Sequence, residues 1–404
     1  MNKRKLVGYL LVVALSAAAC GGGGDGGGKA GEGAATPPPS YDVEKGLGSA
    51  ASDLRAELTE MLQEHVFLTG ITTDAVVAGG DAAPGSAVLD QNATALANLF
   101  GGVYGDPAAP RFLELWRRQN ALVLDFARAS AAGDQAATGR IKGDLEALGN
   151  ELTTFLSATN PQHTPDTVGE DHEAYVRLLL ATVTAQAKKE AEAYADLKEA
   201  ADHAPKTATL LASGIVKLKD RPVEGSIDAM GAVLRSTLAA KLQQHTYLAG
   251  VATAAALGGG DFEAAARPLD ENSLELSRAI SSAYGDDAGR QFLSLWRQHI
   301  GFFVDYTRAA ARGDQAGMST AKADLDGYRS AFAAFLSAAN PNLGKDAVAA
   351  ELGVHVDTLI AAIQAQAAKD VSQVLKLRDA ADHMPHTGFV LASAIARQFP
   401  QKFG

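Results

Sequence analysis

Two stretches of the chain, LRAELTEMLQEHVFLTG at residues 54–70 and LRSTLAAKLQQHTYLAG at residues 234–250, have the same pattern 180 positions apart. In both, apolar residues recur every three or four positions, which predicts an amphipathic helix with one buried face. The same offset relates FLELW to FLSLW around Trp116 and Trp296, and it holds without insertion over about 160 residues. A unit of that length can bury a core of its own. The repeat therefore predicts duplication of a whole domain rather than a solenoid of short repeats.

Turn residues divide each copy into helices. Glycine accepts the left-handed conformation that ends a helix, and aspartate caps the free amides of the next helix. Gly285-Asp286 and Gly313-Asp314 combine both roles, and Asn340-Pro341 ends a further helix because proline cannot continue it. Runs of alternating β-branched residues do not occur in the sequence, so we expect an all-α fold.

About six helices are predicted for each copy. Pro205 and Pro385 fall inside the sixth helix, which each should kink by removing a backbone hydrogen bond. Long helices joined by short turns pack as an up-and-down bundle. We therefore expect two tandem homologous bundles, residues 44–220 and 224–404, joined near the charged segment 217–225.

The N-terminal residues have the features of an export signal. Residues 1–20, MNKRKLVGYLLVVALSAAAC, combine a basic start, a short apolar run and small residues before Cys20. The ending resembles a bacterial lipobox, in which the cysteine is acylated, although Ala17 stands where leucine is usual; the alternative is an ordinary cleavage site. Residues 21–43 are rich in glycine and proline and predict a flexible tether. We therefore expect a lipoprotein of the cell envelope, anchored outside the cytoplasm by lipid alone.

Composition excludes several classes of partner and site. The formal net charge is −11, and an acidic surface disfavours binding to nucleic acid or to anionic lipid. The residues after Cys20 contain no apolar run long enough to predict a membrane span. Cys20 is also the only cysteine. A metal site must therefore use histidine, carboxylate, methionine or amide ligands.

Polar residues interrupt the apolar helix faces of the second copy. His245, His299 and His355 each follow the spacing of the buried stripe on a different helix. Facing helices build metal sites in bundle interiors, and neutral imidazole is a common ligand of zinc, copper and nickel. We therefore predict a site for Cu, Zn or Ni from the following residues: His245, His299, His355, His383, His386, Glu275 and Asn272. The alternative is that these side chains only form hydrogen bonds within the core.

Comparison of the two copies favours the second as the functional one. Three predicted ligands recur at the same offset: His245 as His65, Asn272 as Asn92 and His383 as His203. The other four are replaced: His299 by Gln119, His355 by Tyr175, His386 by Lys206 and Glu275 by Ala95. The replacements preserve polarity better than metal ligation, which favours a structural polar network in the first copy. His172, one turn before Tyr175, is a further candidate there.

The chain contains several motifs: HxxxxG in the first helix, YGD, WxxH in the third helix of the second copy, FLSxxNP and a terminal DHM…QFPxKF. This pattern is similar to a family of uncharacterised secreted bacterial helical proteins, and the resemblance implies no activity. An enzyme is the least favoured class, because the sequence lacks a GxSxG nucleophile elbow and a phosphate loop. We expect a metal-binding lipoprotein, with a non-catalytic scaffold or interaction protein as the alternative.

Overall fold

The computed structural model describes residues 46–403, and these residues form helices without any strand. The first copy contains α1 (Ala50–Val77), α2 (Ala83–Tyr104), α3 (Ala108–Ala131), α4 (Gln135–Thr159), α5 (Pro165–Lys188) and α6 (Glu192–Val216). The second copy contains α7 (Met230–Gly258), α8 (Phe262–Tyr284), α9 (Asp286–Ala311), α10 (Gln315–Ala339), α11 (Lys345–Ala367), α12 (Gln373–Asp382), α13 (Met384–Gln398) and α14 (Pro400–Phe403). The all-α prediction is thereby confirmed. Cys20, the predicted signal and the tether lie outside the described residues.

The two glycine-aspartate pairs of the second copy end and begin helices in different ways. At Gly313-Asp314 the glycine has φ 65°, and the Asp314 side chain accepts a hydrogen bond from the Gly317 amide at 2.9 Å. At Gly285-Asp286 the glycine has φ 89°, but no side chain caps α9. The helix begins at Asp286 itself, so this carboxylate lies in the first turn, where it interacts favourably with the helix dipole.

The two prolines also differ in their effects. Helix α6 continues through Pro205. In the second copy α12 ends at Asp382 and α13 begins at Met384, with Pro385 in its first turn. Proline costs no hydrogen bond in the first turn of a helix, so this break is the more favourable arrangement. It places His383 between two helices.

The repeated tyrosine and asparagine motifs meet in the structure. Asn340 Nδ2 donates to the Tyr284 hydroxyl at 2.8 Å, and Asn160 Nδ2 donates to the Tyr104 hydroxyl at 3.1 Å. Both asparagines are buried. These hydrogen bonds tie the end of the second helix of each copy to the end of the fourth, which gives the YGD and NP motifs a structural role.

The equivalent helices α1 and α7 pack against each other. Phe67 stacks on Tyr247, with ring centroids 4.9 Å apart and planes inclined by 10°. These residues occupy equivalent positions in the two copies, so the contact has approximate two-fold symmetry. The described residues belong to one compact unit. None of their helices is both long and apolar enough to cross a membrane.

Candidate metal centre

Three histidines from three helices of the second copy converge in the interior. His245 lies on α7, His299 on α9 and His355 on α11, and each of these residues is at most 5% exposed. One ring nitrogen of each lies within 4.8 Å of the others. The Nε2 atoms of His245 and His299 are 3.3 Å apart. The structure therefore brings together these three of the predicted ligands.

Aromatic side chains surround this cluster and hold its rings. Trp296 lies one turn before His299 on α9, and its ring centroid is 4.8 Å from that of His245 and 4.6 Å from that of His299. Tyr328 of α10 stacks on His299 at 5.0 Å. Residues three or four apart lie on one face of a helix, so the apolar stripe that buries Trp296 also buries His299.

The imidazole nitrogens of the cluster are poorly satisfied by the protein. Among the described residues, neither nitrogen of His355 has a hydrogen-bond partner, and Nδ1 of His245 has none. A buried donor or acceptor without a partner costs about 1–3 kcal/mol. The free energy of the cluster is therefore lowered by any ligand that satisfies these atoms.

Burial keeps the cluster uncharged. Burial, with a smaller contribution from His383, lowers the pKa of His355 to about 4. Burial also lowers the pKa of His245 and the pKa of His299 well below the ordinary value, and neighbouring imidazoles act in the same direction. All three rings are thus neutral near pH 7, and the neutral imidazole is the form that binds metal ions.

One separation in the cluster matches that between two ligands of a tetrahedral metal ion. Zinc–nitrogen bonds of about 2.0–2.1 Å place two ligand nitrogens roughly 3.3 Å apart at tetrahedral angles. The observed separation of the His245 and His299 Nε2 atoms is 3.3 Å. His355 offers a nitrogen within 4.8 Å of both, so this ring would have to move closer to the other two to complete the set. Three protein ligands leave the fourth position open.

A cavity of about 50 Å³ adjoins the cluster. His299 and His355 both line it, together with Tyr328 and Met384. Leucine, valine, isoleucine and phenylalanine side chains form most of the remaining wall. Among the described residues that line the cavity, Glu351 is the only acidic one. A metal ion held by the three histidines would therefore lie beside an almost entirely apolar space.

His383 and His386 lie beside this cavity wall rather than in the cluster. Nε2 of His383 is 2.9 Å from the Glu351 carboxylate, and Nε2 of His386 is 3.8 Å from it. The His386 side chain is 61% exposed. The first copy has the same pair, because His203 Nε2 lies 3.1 Å from Asp171. The histidine–carboxylate pair therefore belongs to the repeat in general.

Glu275 and Asn272 also lie outside the cluster. Glu275 pairs with Lys198 of α6 at 2.9 Å and with Lys241 of α7 at 2.7 Å. Asn272 donates to the Lys241 carbonyl oxygen at 3.0 Å and to the Gln244 side chain at 2.9 Å. This face of α8 packs against charged and polar groups of two other helices. The spacing within one helix does not reveal which neighbours its polar residues meet.

At the equivalent position in the first copy, both histidines form hydrogen bonds to protein side chains. His65 Nε2 donates to Asn120 Oδ1 at 2.7 Å, and its Nδ1 accepts a hydrogen bond from the Tyr175 hydroxyl. His172 Nε2 donates to Gln119 Oε1 at 2.7 Å. Both nitrogens of His65 thus have protein partners, and His172 pairs with the residue that replaces His299.

Sequence reasoning missed two residues of the second-copy site. Tyr328 occupies the position of Leu148, and Glu351 occupies that of Asp171. The replacement of a leucine by a buried tyrosine was the available signal for Tyr328. Glu351 gave none, because an acidic residue occurs in both copies.

Comparisons of the chain with protein-family models, curated proteins and solved structures found no match. The geometry of the histidine cluster is therefore the basis for a functional assignment.

Proposed function

We propose that the second copy binds one transition-metal ion through His245, His299 and His355, in a membrane-anchored extracytoplasmic lipoprotein. The observation that carries this proposal is the convergence of three buried, neutral imidazoles, of which His355 has no hydrogen-bond partner among the described residues and His245 has none at Nδ1. Metal ligation satisfies one nitrogen of each ring. The metal would be a late first-row ion such as Cu, Zn or Ni, because these ions favour imidazole.

A purely structural role accounts less well for the cluster. A structural histidine is stabilised by hydrogen bonds to the protein, as His65 is by Asn120 and Tyr175. His355 has no such bond among the described residues. Where the first copy hydrogen-bonds His65 to Asn120 and Tyr175, the second copy has three convergent imidazoles.

Metal content tests the proposal directly. The purified full-length chain is incubated with Zn²⁺, Cu²⁺ or Ni²⁺, dialysed and analysed by mass spectrometry of the bound element. We expect about one equivalent of metal, and little in the double variant His245→Ala/His299→Ala. The matched control is His65→Ala in the first copy, which should retain the metal. A wild-type chain that retains none of these ions, and no Cu⁺ when loaded anaerobically, contradicts the proposal.

We also propose that each copy forms one helical bundle, residues 44–220 and 224–404, and that Cys20 carries the lipid anchor. The 180-residue repeat supports one bundle per copy, and the lipobox-like ending supports the anchor. Labelling of expressing bacteria with radioactive palmitate should mark the chain, and Cys20→Ser should abolish the label. Equal labelling of both proteins would contradict the anchor.

A non-catalytic scaffold is the second candidate. It is favoured by the histidine–carboxylate pairs His203–Asp171 and His383–Glu351, which recur in both copies without forming a shared metal cluster. The scaffold predicts that metal ions leave the melting temperature unchanged, whereas a metal site raises it by mass action. Calorimetry with and without metal separates the two.

A further inference from the structure

We propose that the centre holds monovalent copper in preference to a divalent ion, and that its open position takes a small neutral ligand such as carbon monoxide, nitric oxide or dioxygen. This inference rests on the proposed metal site and adds its charge, its selectivity and its ligand class.

The charge of the site favours a monovalent ion. The three histidines contribute no negative charge to the cluster. Glu351 is the only acidic residue in the described cavity wall, and it is already paired with His383 at 2.9 Å. The cost of burying an ion in a low-dielectric interior rises with the square of its charge. A divalent ion here would carry two uncompensated charges, and Cu⁺ carries one.

The ligand atoms around the cavity also suit Cu⁺. Met384 is 3% exposed and lines the same cavity as His299 and His355. Thioether sulfur is a soft donor that favours Cu⁺. The first copy has Ala204 at the equivalent position. The methionine therefore occurs in the copy with the three convergent histidines.

The size and polarity of the cavity set the class of ligand. Its volume is about 50 Å³. A water molecule needs roughly 10–15 Å³ on this measure, and a cavity of about 150 Å³ holds benzene. The space therefore fits a diatomic molecule but not an organic substrate. Apolar cavities of this kind stay dry, which disfavours anions and favours neutral ligands.

Carbon monoxide binding to the copper-loaded protein tests this inference. The full-length chain is loaded anaerobically with Cu⁺, its copper content is measured, and carbon monoxide is added while the C–O stretching vibration is followed by infrared spectroscopy. We expect about one equivalent of Cu⁺, one bound carbon monoxide per copper, and retention of the copper in the presence of excess Zn²⁺.

A pair of cavity-filling variants locates the ligand. Leu276 lines the second-copy cavity, and Leu96 lines the equivalent cavity of the first copy. Leu276→Phe should keep the copper and weaken carbon monoxide binding by about tenfold or more, which corresponds to about 1.4 kcal/mol. Leu96→Phe should change neither. If Leu276→Phe does not fold, Leu391→Phe fills the same cavity from another wall.

The outcomes separate this inference from the proposed function. A chain that retains no metal at all contradicts the metal site itself. Retained copper without carbon monoxide binding overturns the open position, and ready displacement of Cu⁺ by Zn²⁺ overturns the charge argument. Equal loss of carbon monoxide in Leu276→Phe and Leu96→Phe overturns the assignment to this cavity.

Discussion

The interiors of the two copies satisfy their buried histidines in opposite ways. In the first copy His65 hydrogen-bonds to Asn120 and Tyr175 through its two ring nitrogens. In the second copy the equivalent His245 faces His299 and His355, and two of these three rings have nitrogens without partners among the described residues. A few differences on one helical framework thus separate a core in which the central histidine is fully hydrogen-bonded from one in which imidazole nitrogens are left for a ligand.

Exchanging the residues that differ should move the metal site, and this is the largest effect expected. The triple variant Gln119→His/Asn120→Ile/Tyr175→His copies the second-copy pattern into the first copy, so metal content should rise from about one equivalent to about two. The reverse variant His299→Gln/His355→Tyr should lose the metal. Element analysis of the dialysed proteins measures both. Unchanged content in both variants would show that the metal, if bound, lies elsewhere.

Removing one hydroxyl from each copy should affect stability only where that hydroxyl has a partner. Tyr175→Phe removes the bond to His65, and we expect a loss of about 1–3 kcal/mol in the free energy of unfolding. Tyr328→Phe removes a buried hydroxyl that has no partner among the described residues, so its effect should be near zero. Urea denaturation of the metal-free proteins measures both. A larger loss for Tyr328→Phe would reverse the comparison.

The two copies should also contribute differently to the pH dependence of stability, because the first copy has Glu60 where the second has Ala240. Burial raises the pKa of Glu60 to about 8. The folded state therefore keeps a proton that the unfolded state releases near its ordinary pKa, so this group makes stability fall as pH rises from about 5 to 8. Glu60→Gln should reduce that fall by about 1–2 kcal/mol.

Denaturation at several pH values checks this prediction, with Glu60→Ala as the variant that matches the second copy. Glu60→Ala should flatten the pH profile as Glu60→Gln does. A profile that remains as steep in both variants would assign the titration to other carboxylates.

Removing equivalent exposed ion pairs should show the smallest difference in stability between the two copies. Arg117 pairs with Asp90 in the first copy, and Arg297 pairs with Asp270 at the equivalent positions in the second. Exposed pairs contribute roughly 0–1 kcal/mol. Arg117→Ala and Arg297→Ala should therefore each cost less than about 1 kcal/mol, and equally. A marked difference in thermal unfolding between them would reveal an asymmetry outside the metal site.

The sequence predicted the fold better than the site. Turn residues predicted both ends of α10 correctly, at Gly313-Asp314 and Asn340-Pro341, because helix termination and capping are local properties of the chain. The apolar spacing directed His245, His299 and His355 inward. It did not separate them from Glu275, because Glu275 meets lysines of other helices. Which polar side chains come together in the interior depends on how the helices pack against one another. The residue spacing within a single helix does not determine this.

The stack of Phe67 on Tyr247 has a consequence for the origin of the chain. A residue that touches its own equivalent lies on a symmetry axis, and a surface that contains such an axis is complementary to itself. Two separate single-copy chains with this surface would associate as a homodimer. Fusion of such a pair into one polypeptide frees each half from the constraint of identical sequence. One half can then keep a core that is stable unaided while the other specialises.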